Sequence, residues 1–167
     1  SKVSKAYMAI IGDGKGGIFC EDSLEVPNNW KDKTKQSIEL SKFDVLLTNP
    51  PFGKDIKVVG ESKLAQYDLA NKWKKEGDVY KKTDKKNTEM RPEVLFIERS
   101  LQLLKDGGTM GIVLPETFFH APRARPVMQF MENHNIKWVI DLPHNTFRPH
   151  NNAKCIKMSN NNMLNNL

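Results

Sequence analysis

The residues best placed to do chemistry are Asn49, Pro50, Pro51 and Phe52, which close the apolar run Phe43-Asp44-Val45-Leu46-Leu47-Thr48. An asparagine carboxamide carries an acceptor and a donor on one rigid group. Neither proline can donate a ladder hydrogen bond, and Pro50 pushes Asn49 out of helical space. The carbonyl of Pro50, freed by the turn, is a second acceptor. Two acceptors around one exocyclic amino group can hold its hydrogens and leave the nitrogen lone pair facing a methyl donor. Phe52 can lie against the face of a flat base. An ordinary strand-ending turn would also use Asn-Pro-Pro, but the apolar run before it and the Phe-Gly after it favour a site.

These residues need elements to position them. The Val/Leu-rich run before Asn49 reads as a buried strand, so the motif falls at a strand's carboxyl end, where open α/β sheets bind ligands. Thr109–Leu114, stopped at Pro115, and Lys137–Leu142, stopped at Pro143, read as two further strands. Arg91-Pro92-Glu93 opens a helix whose stripe is Val94, Leu95, Ile97, Glu98, Leu101, Leu103 and Leu104, with Gly107-Gly108 as its end. Arg123–His134 reads as another helix, with Val127, Met128, Phe130 and Met131 inward. Three apolar strands, two of them each followed by a helix, predict an α/β fold with a mostly parallel sheet and right-handed crossovers.

The first forty residues are less regular. Lys5–Ile11 fits the end of a helix, and Gly12–Gly17 reads as a flexible turn, since it lacks phosphate-loop spacing and no strand feeds it. Ile18-Phe19-Cys20 predicts a short strand, after which Asp22 or Ser23 can cap the next turn. Residues 26–41 read as a surface connection with at most one helical turn.

The chain has 167 residues, 38% hydrophobic and 28% charged, enough for one domain with its own core. No apolar run approaches the length of a membrane span, and no signal peptide opens the chain. Cys20 and Cys155 form no CxxC, which points to a reducing cytoplasm and away from a disulfide framework. His120, His134, His144 and His150 have no metal-ligand spacing, so no metal site is expected. The net charge of +6 and pI near 9.3 favour a polyanionic partner such as nucleic acid. Residues 53–91 are the most charged part and predict a solvated, mobile loop. Their mixture of basic and aromatic residues also suits nucleic acid, with Lys54, Trp73, Lys74 and Lys75 as candidate DNA contacts. Arg123 and Arg125, after the second strand, could touch phosphate or stand inert at a helix start.

The segments "FDVLLTNPPFG", "LFIERSLQLLKDGGTMGIVLPETFF" and "VIDLPHNTFRPHNNAK" resemble, in order and spacing, the methylation subunit of type I restriction–modification systems, a family of adenine-specific DNA methyltransferases. "GDGKGGIFCEDSL" looks like the segment that precedes them there. The resemblance runs from about Met8 to Lys154. It implies a Rossmann-like S-adenosylmethionine-dependent methyltransferase fold, doubly wound, with Asn49, Pro50 and Phe52 gripping an adenine flipped out of DNA. It also implies Asp22 as the contact to the cofactor's adenine, Asn49 beside the cofactor, and specificity and restriction subunits as partners.

Two features depart from the family pattern. The glycine-rich strand end of the form (D/N)PxxGxG and the acidic residue after the next strand are not found, so the fold is expected to be incomplete at its N-terminal side. The expectation is therefore a partial methyltransferase domain over residues 1–154, inactive alone, followed by an Asn-rich, disordered tail over 155–167. Two other readings stay open: a non-catalytic remnant or module that binds DNA or subunits, and a methyltransferase acting on RNA or on protein glutamine.

Overall fold

A computed structural model describes residues 2–12, 16–51, 53, 55–143, 146 and, as backbone, 153–159. It divides into two compact units, Ser1–Glu39 and Leu40–Leu167.

In the first unit, α1 (Lys2–Ile10) buries no residue, while α2 (Asp32–Lys35) is a single turn that buries Thr34. The expected strand at Ile18–Cys20 does not form. A strand needs a ladder partner for its backbone groups, and among the described residues none pairs with this stretch. Local turns take its place. The Thr34 hydroxyl donates to Glu21 Oε1 at 2.8 Å, and Leu24 and Trp30 are buried. The middle of the glycine-rich turn, residues 13–15, lies outside the described residues.

The second unit holds β1 (Phe43–Thr48), β2 (Val58–Val59), α3 (Glu61–Ala65), β3 (Asn71–Glu76), β4 (Val79–Lys86), β5 (Glu89–Met90), α4 (Pro92–Leu103), β6 (Leu104–Pro115), α5 (Glu116–His120), α6 (Arg125–Glu132), β7 (Asn135–Asp141) and β8 (Ala153–Ser159). The main sheet has the order β1-β6-β8-β7. β1 and β6 are parallel, and β8 is antiparallel to both β6 and β7, so β1, β6 and β7 share one direction. β8 crosses the 154/155 boundary expected from the sequence, and residues 160–167 lie outside the described residues.

The core forms on one face of this sheet. Met110, Ile112 and Leu114 of β6 are fully buried, whereas Thr109, Gly111 and Val113 between them are only half-buried, the period-two signature of a strand. Met110, Ile112 and Leu114 pack with Val94, Ile97 and Leu101 of α4 and with Val127 and Met131 of α6. β1 is half-buried rather than enclosed as expected. Its Leu46 packs on the core, but Val45 and Leu47 are 61% and 80% exposed, because among the described residues no layer covers their face. Leu47 lies over Gly111, where an added Cβ would come within 2.8 Å of Leu47 Cδ2.

Two further expectations change. α4 ends at Leu103, not at the glycine pair. Leu104 is fully buried and pairs with Phe43, so the chain turns straight into β6, and Gly107 (φ 75°) and Gly108 serve a bulge in that ladder. A Cβ on Gly108 would meet the Phe43 carbonyl oxygen at 2.8 Å. The charged stretch expected as a mobile loop is largely an ordered hairpin of β3 and β4, closed at Gly77 (φ 62°).

Candidate active site

β1 delivers its end residues to the sheet's carboxyl edge. Thr48 pairs in register with Ile112 of the parallel β6, so Asn49 stands beside the strand end that leads to Pro115. Pro50 is buried and anchors the turn, while Asn49 and Pro51 are exposed. Among the described residues nothing hydrogen-bonds to the Asn49 carboxamide, which leaves its acceptor and donor open to a ligand. Phe52 and Lys54 lie outside the described residues.

A pocket of about 600 Å³ lies wholly within the second unit. It brings together two sequence candidates fifty positions apart, Trp73 of β3 and Arg123 before α6. Lys74, Lys75 and Arg125 are exposed and do not line it. α4 leads directly into β6, so the helix start and the segment after Pro115 stand at the same edge of the sheet as Asn49. Both segments line the pocket, through Arg91 and Val94 on one side and Phe118 and Arg123 on the other.

Side-chain amides shape its walls. Gln129 of α6 accepts from the backbone N–H of Tyr80 and donates to its carbonyl, at 2.7 Å each, which fixes the hairpin against the helix. Asn71, buried, donates to the Thr83 carbonyl at 2.6 Å and accepts from Lys86 at 2.6 Å. The indole N–H of Trp73 is buried without an acceptor among the described residues.

Two buried carboxylates were not singled out from the sequence. Glu98 accepts the backbone N–H groups of Asp68 and Leu69 at 2.8 Å each, and so sets the floor of the pocket at Leu69. Burial pushes its pKa up, against the two backbone hydrogen bonds that pull it down. Glu93, 1% exposed, faces Arg91 across 3.5 Å, and its Oε2 has no hydrogen-bond partner among the described residues. Burial raises its pKa too, opposed by its own backbone hydrogen bond and by Arg91 and Arg123. The signal for Glu98 was an acid inside an apolar helical stripe, where a charge is rarely buried without partners.

Glu93 gives a pH test. A carboxyl group whose folded pKa lies above its unfolded value of about 4.3 binds its proton more tightly when folded. Its contribution therefore falls as pH rises from about 4.3 to the folded pKa and is flat beyond. Glu98 has the same sign, and exposed Asp44, whose pKa Lys105 lowers, has the opposite sign; both persist in a Glu93→Gln variant. The stability difference, wild type minus Glu93→Gln, should fall across that window in urea melts at stepped pH; a difference that rises would refute the assignment.

Asp22 belongs to the first unit. Its carboxylate accepts the Leu24 N–H at 3.0 Å and its carbonyl accepts the Trp30 indole N–H at 3.0 Å, so it caps a local turn. Among the described residues no cluster of His, Cys, Asp and Glu could hold a metal ion, and no helix is long and apolar enough to cross a membrane. His144 and His150 lie outside the described residues.

The model of the Eco57I restriction-modification methylase family matches residues 14–147. The chain belongs to this family. Among curated relatives of this Eco57I-family chain, the type II methyltransferase M.BstVI of Geobacillus stearothermophilus is 29% identical over 115 residues, which cover 68% of this chain and 18% of that protein. The type II restriction enzyme and methyltransferase RM.Eco57I of Escherichia coli is 29% identical over 122 residues, 71% of this chain and 11% of that protein. The chain thus spans less than a fifth of either relative.

Solved structures share the fold. A chain of a type I restriction–modification system is 22% identical with a TM-score of 0.63, covering 96% of this chain and 28% of that one. A modification subunit of a type I restriction enzyme from Vibrio vulnificus is 20% identical with a TM-score of 0.53, over 84% and 26%. A class I S-adenosylmethionine-dependent methyltransferase from Listeria monocytogenes is 18% identical with a TM-score of 0.52, over 72% and 32%. The resemblance to restriction–modification methylation proteins and the Rossmann-like methyltransferase fold are borne out.

Proposed function

We propose that this chain is the amine-gripping part of an adenine-specific DNA methyltransferase of a type I restriction–modification system. The observation that carries the reading is the exposed Asn49 carboxamide, without a partner among the described residues, at the carboxyl end of β1 and in front of a buried proline. In this reading Asn49 and the carbonyl of Pro50 accept the two amino hydrogens of an extruded adenine. Holding both hydrogens turns the nitrogen lone pair outward, and Phe52 stacks on the base. Catalysis by these residues is then positioning and electrostatics.

S-adenosylmethionine would supply an electrophilic methyl group. The described residues do not by themselves form a cradle for it, since no glycine-rich strand end is present among them. The cofactor contacts proposed here are Asn49 and Asp22, with the remaining contacts supplied by other parts of the protein. We accordingly assign little or no turnover to the chain alone. Its partners are DNA and the specificity and restriction subunits, in the cytoplasm. The methyltransferase domain is proposed to run through β8 to Ser159 rather than to stop at 154, because β8 pairs with both β6 and β7. Lys54, Lys74, Lys75 and Arg125 remain proposed DNA contacts beside Trp73 and Arg123.

The test is transfer of labelled methyl from S-adenosylmethionine to unmethylated duplex DNA by the whole protein with its partner subunits, followed by digestion. Label in N6-methyladenine is expected. Label in N4-methylcytosine, RNA or protein glutamine overturns the reading, and brisk turnover by the isolated chain overturns its inactivity.

A further inference from the structure

The pocket between the hairpin, the start of α4 and the approach to α6 has a chemistry that the amine-gripping motif does not use. At about 600 Å³ it lies within the range of small-ligand sites. Its wall is largely apolar and aromatic, with Trp73, Tyr80 and Phe118 on different elements. Four cations line it, but they are not equal. Lys57 is neutralised by Glu89 at 2.5 Å, and Arg91 leans on buried Glu93. Arg123 and Lys72 are exposed and have no ion-pair partner among the described residues. The spare charge is therefore positive and lies on Lys72 and on Arg123, whose field also reaches buried Glu93.

One polar group inside is also held open. The Asn87 carboxamide donates to the carbonyls of Ala70 and Asn71 at 3.1 Å each, which fixes its orientation. Its oxygen receives no hydrogen bond among the described residues, and Asn87 lines the pocket. Flat apolar walls, an oriented acceptor and two exposed cations without an ion-pair partner among the described residues together suit a ligand with a planar ring, a ring N–H or amino group, and a negative charge. That is the chemistry of a nucleotide: base against the aromatic side chains, phosphate on Arg123 and Lys72.

We propose that this pocket is a nucleotide subsite, separate from the one that grips the target amine, and that it seats a neighbouring nucleotide of the same DNA strand. Neither Asn49, Pro50 nor Pro51 lines it, yet it opens on the same sheet edge. That the nucleotide belongs to DNA rests on the proposed function; that the pocket takes a nucleotide does not.

The test needs no methyl donor. The 167-residue chain is titrated calorimetrically with thymidine monophosphate, with a short single-stranded oligothymidylate and with inorganic phosphate. Both thymidine ligands should bind, inorganic phosphate should bind far more weakly, and Arg123→Ala should weaken both thymidine ligands about tenfold or more, as loss of a charged hydrogen bond does. Arg123 is exposed, so circular dichroism of the variant should match the parent chain. Monophosphate binding without oligomer binding keeps the nucleotide pocket and overturns its assignment to a strand. No binding, phosphate as tight as nucleotide, or an unaffected Arg123→Ala variant overturns the pocket itself. DNA methylation by the whole protein alongside any of these last results would leave the proposed function standing without the subsite. A functioning pocket in a protein that methylates no DNA would do the reverse.

Discussion

Replacing Asn49 with alanine lowers methyl transfer to DNA by about 100- to 1,000-fold, the usual effect of removing one group aimed at the reacting centre. The expectation belongs to the proposed reading and is measured on the whole protein. Asn49 is exposed and its carboxamide has no partner among the described residues, so the substitution opens no cavity and should shift stability by at most about 0.5 kcal/mol. The loss must then be chemical. Because the carboxamide acts on the amine as it reacts, kcat should fall by far more than KM rises. Asn49→Asp keeps an acceptor and should lose less than Asn49→Ala. If kcat of the alanine variant stayed within about threefold of wild type, Asn49 would be an ordinary turn residue.

Glu98→Ala is the second large effect, on stability. The carboxylate accepts two backbone N–H groups at 2.8 Å from a buried position, and alanine would strand both donors. Each stranded donor costs about 1–3 kcal/mol. Some of that is offset, because the burial that raises the Glu98 pKa also opposes its charge. A net loss of about 2–5 kcal/mol is expected. Glu98→Gln, which keeps one acceptor oxygen, should lose about half as much. Urea unfolding followed by circular dichroism gives both numbers. A Glu98→Ala loss under about 0.5 kcal/mol would show that the two N–H groups find other acceptors. Leu69, whose N–H is one of the two, lines the pocket, so the variant should weaken nucleotide binding before it unfolds the chain.

The elements that carry the motif were legible because their signals are local. An apolar run stopped by two prolines gives β1 and the exposed Asn49, and Pro92 at a helix start with an apolar stripe gives α4. What escaped depends on partners distant in sequence. β3 and β4 carry lysines on both faces, so no apolar alternation marks them; only the Gly77 turn and their mutual pairing make a hairpin. Gly107-Gly108 reads as a helix stop from its neighbours alone, and becomes a strand bulge only because Leu104 pairs with Phe43. Ile18–Cys20 has a strand's composition but no ladder to join. The pocket draws on residues from Lys57 to Val127, and no spacing rule connects them.

The tie between Gln129 and Tyr80 has a consequence for behaviour in concentrated electrolyte. A carboxamide paired with a peptide group carries no net charge, so counterions do little to loosen it, whereas a phosphate held by Arg123 and Lys72 is progressively shielded. Ionic strength should therefore act on occupancy and leave architecture alone: the cleft would empty of nucleotide while its hairpin wall stayed docked to α6.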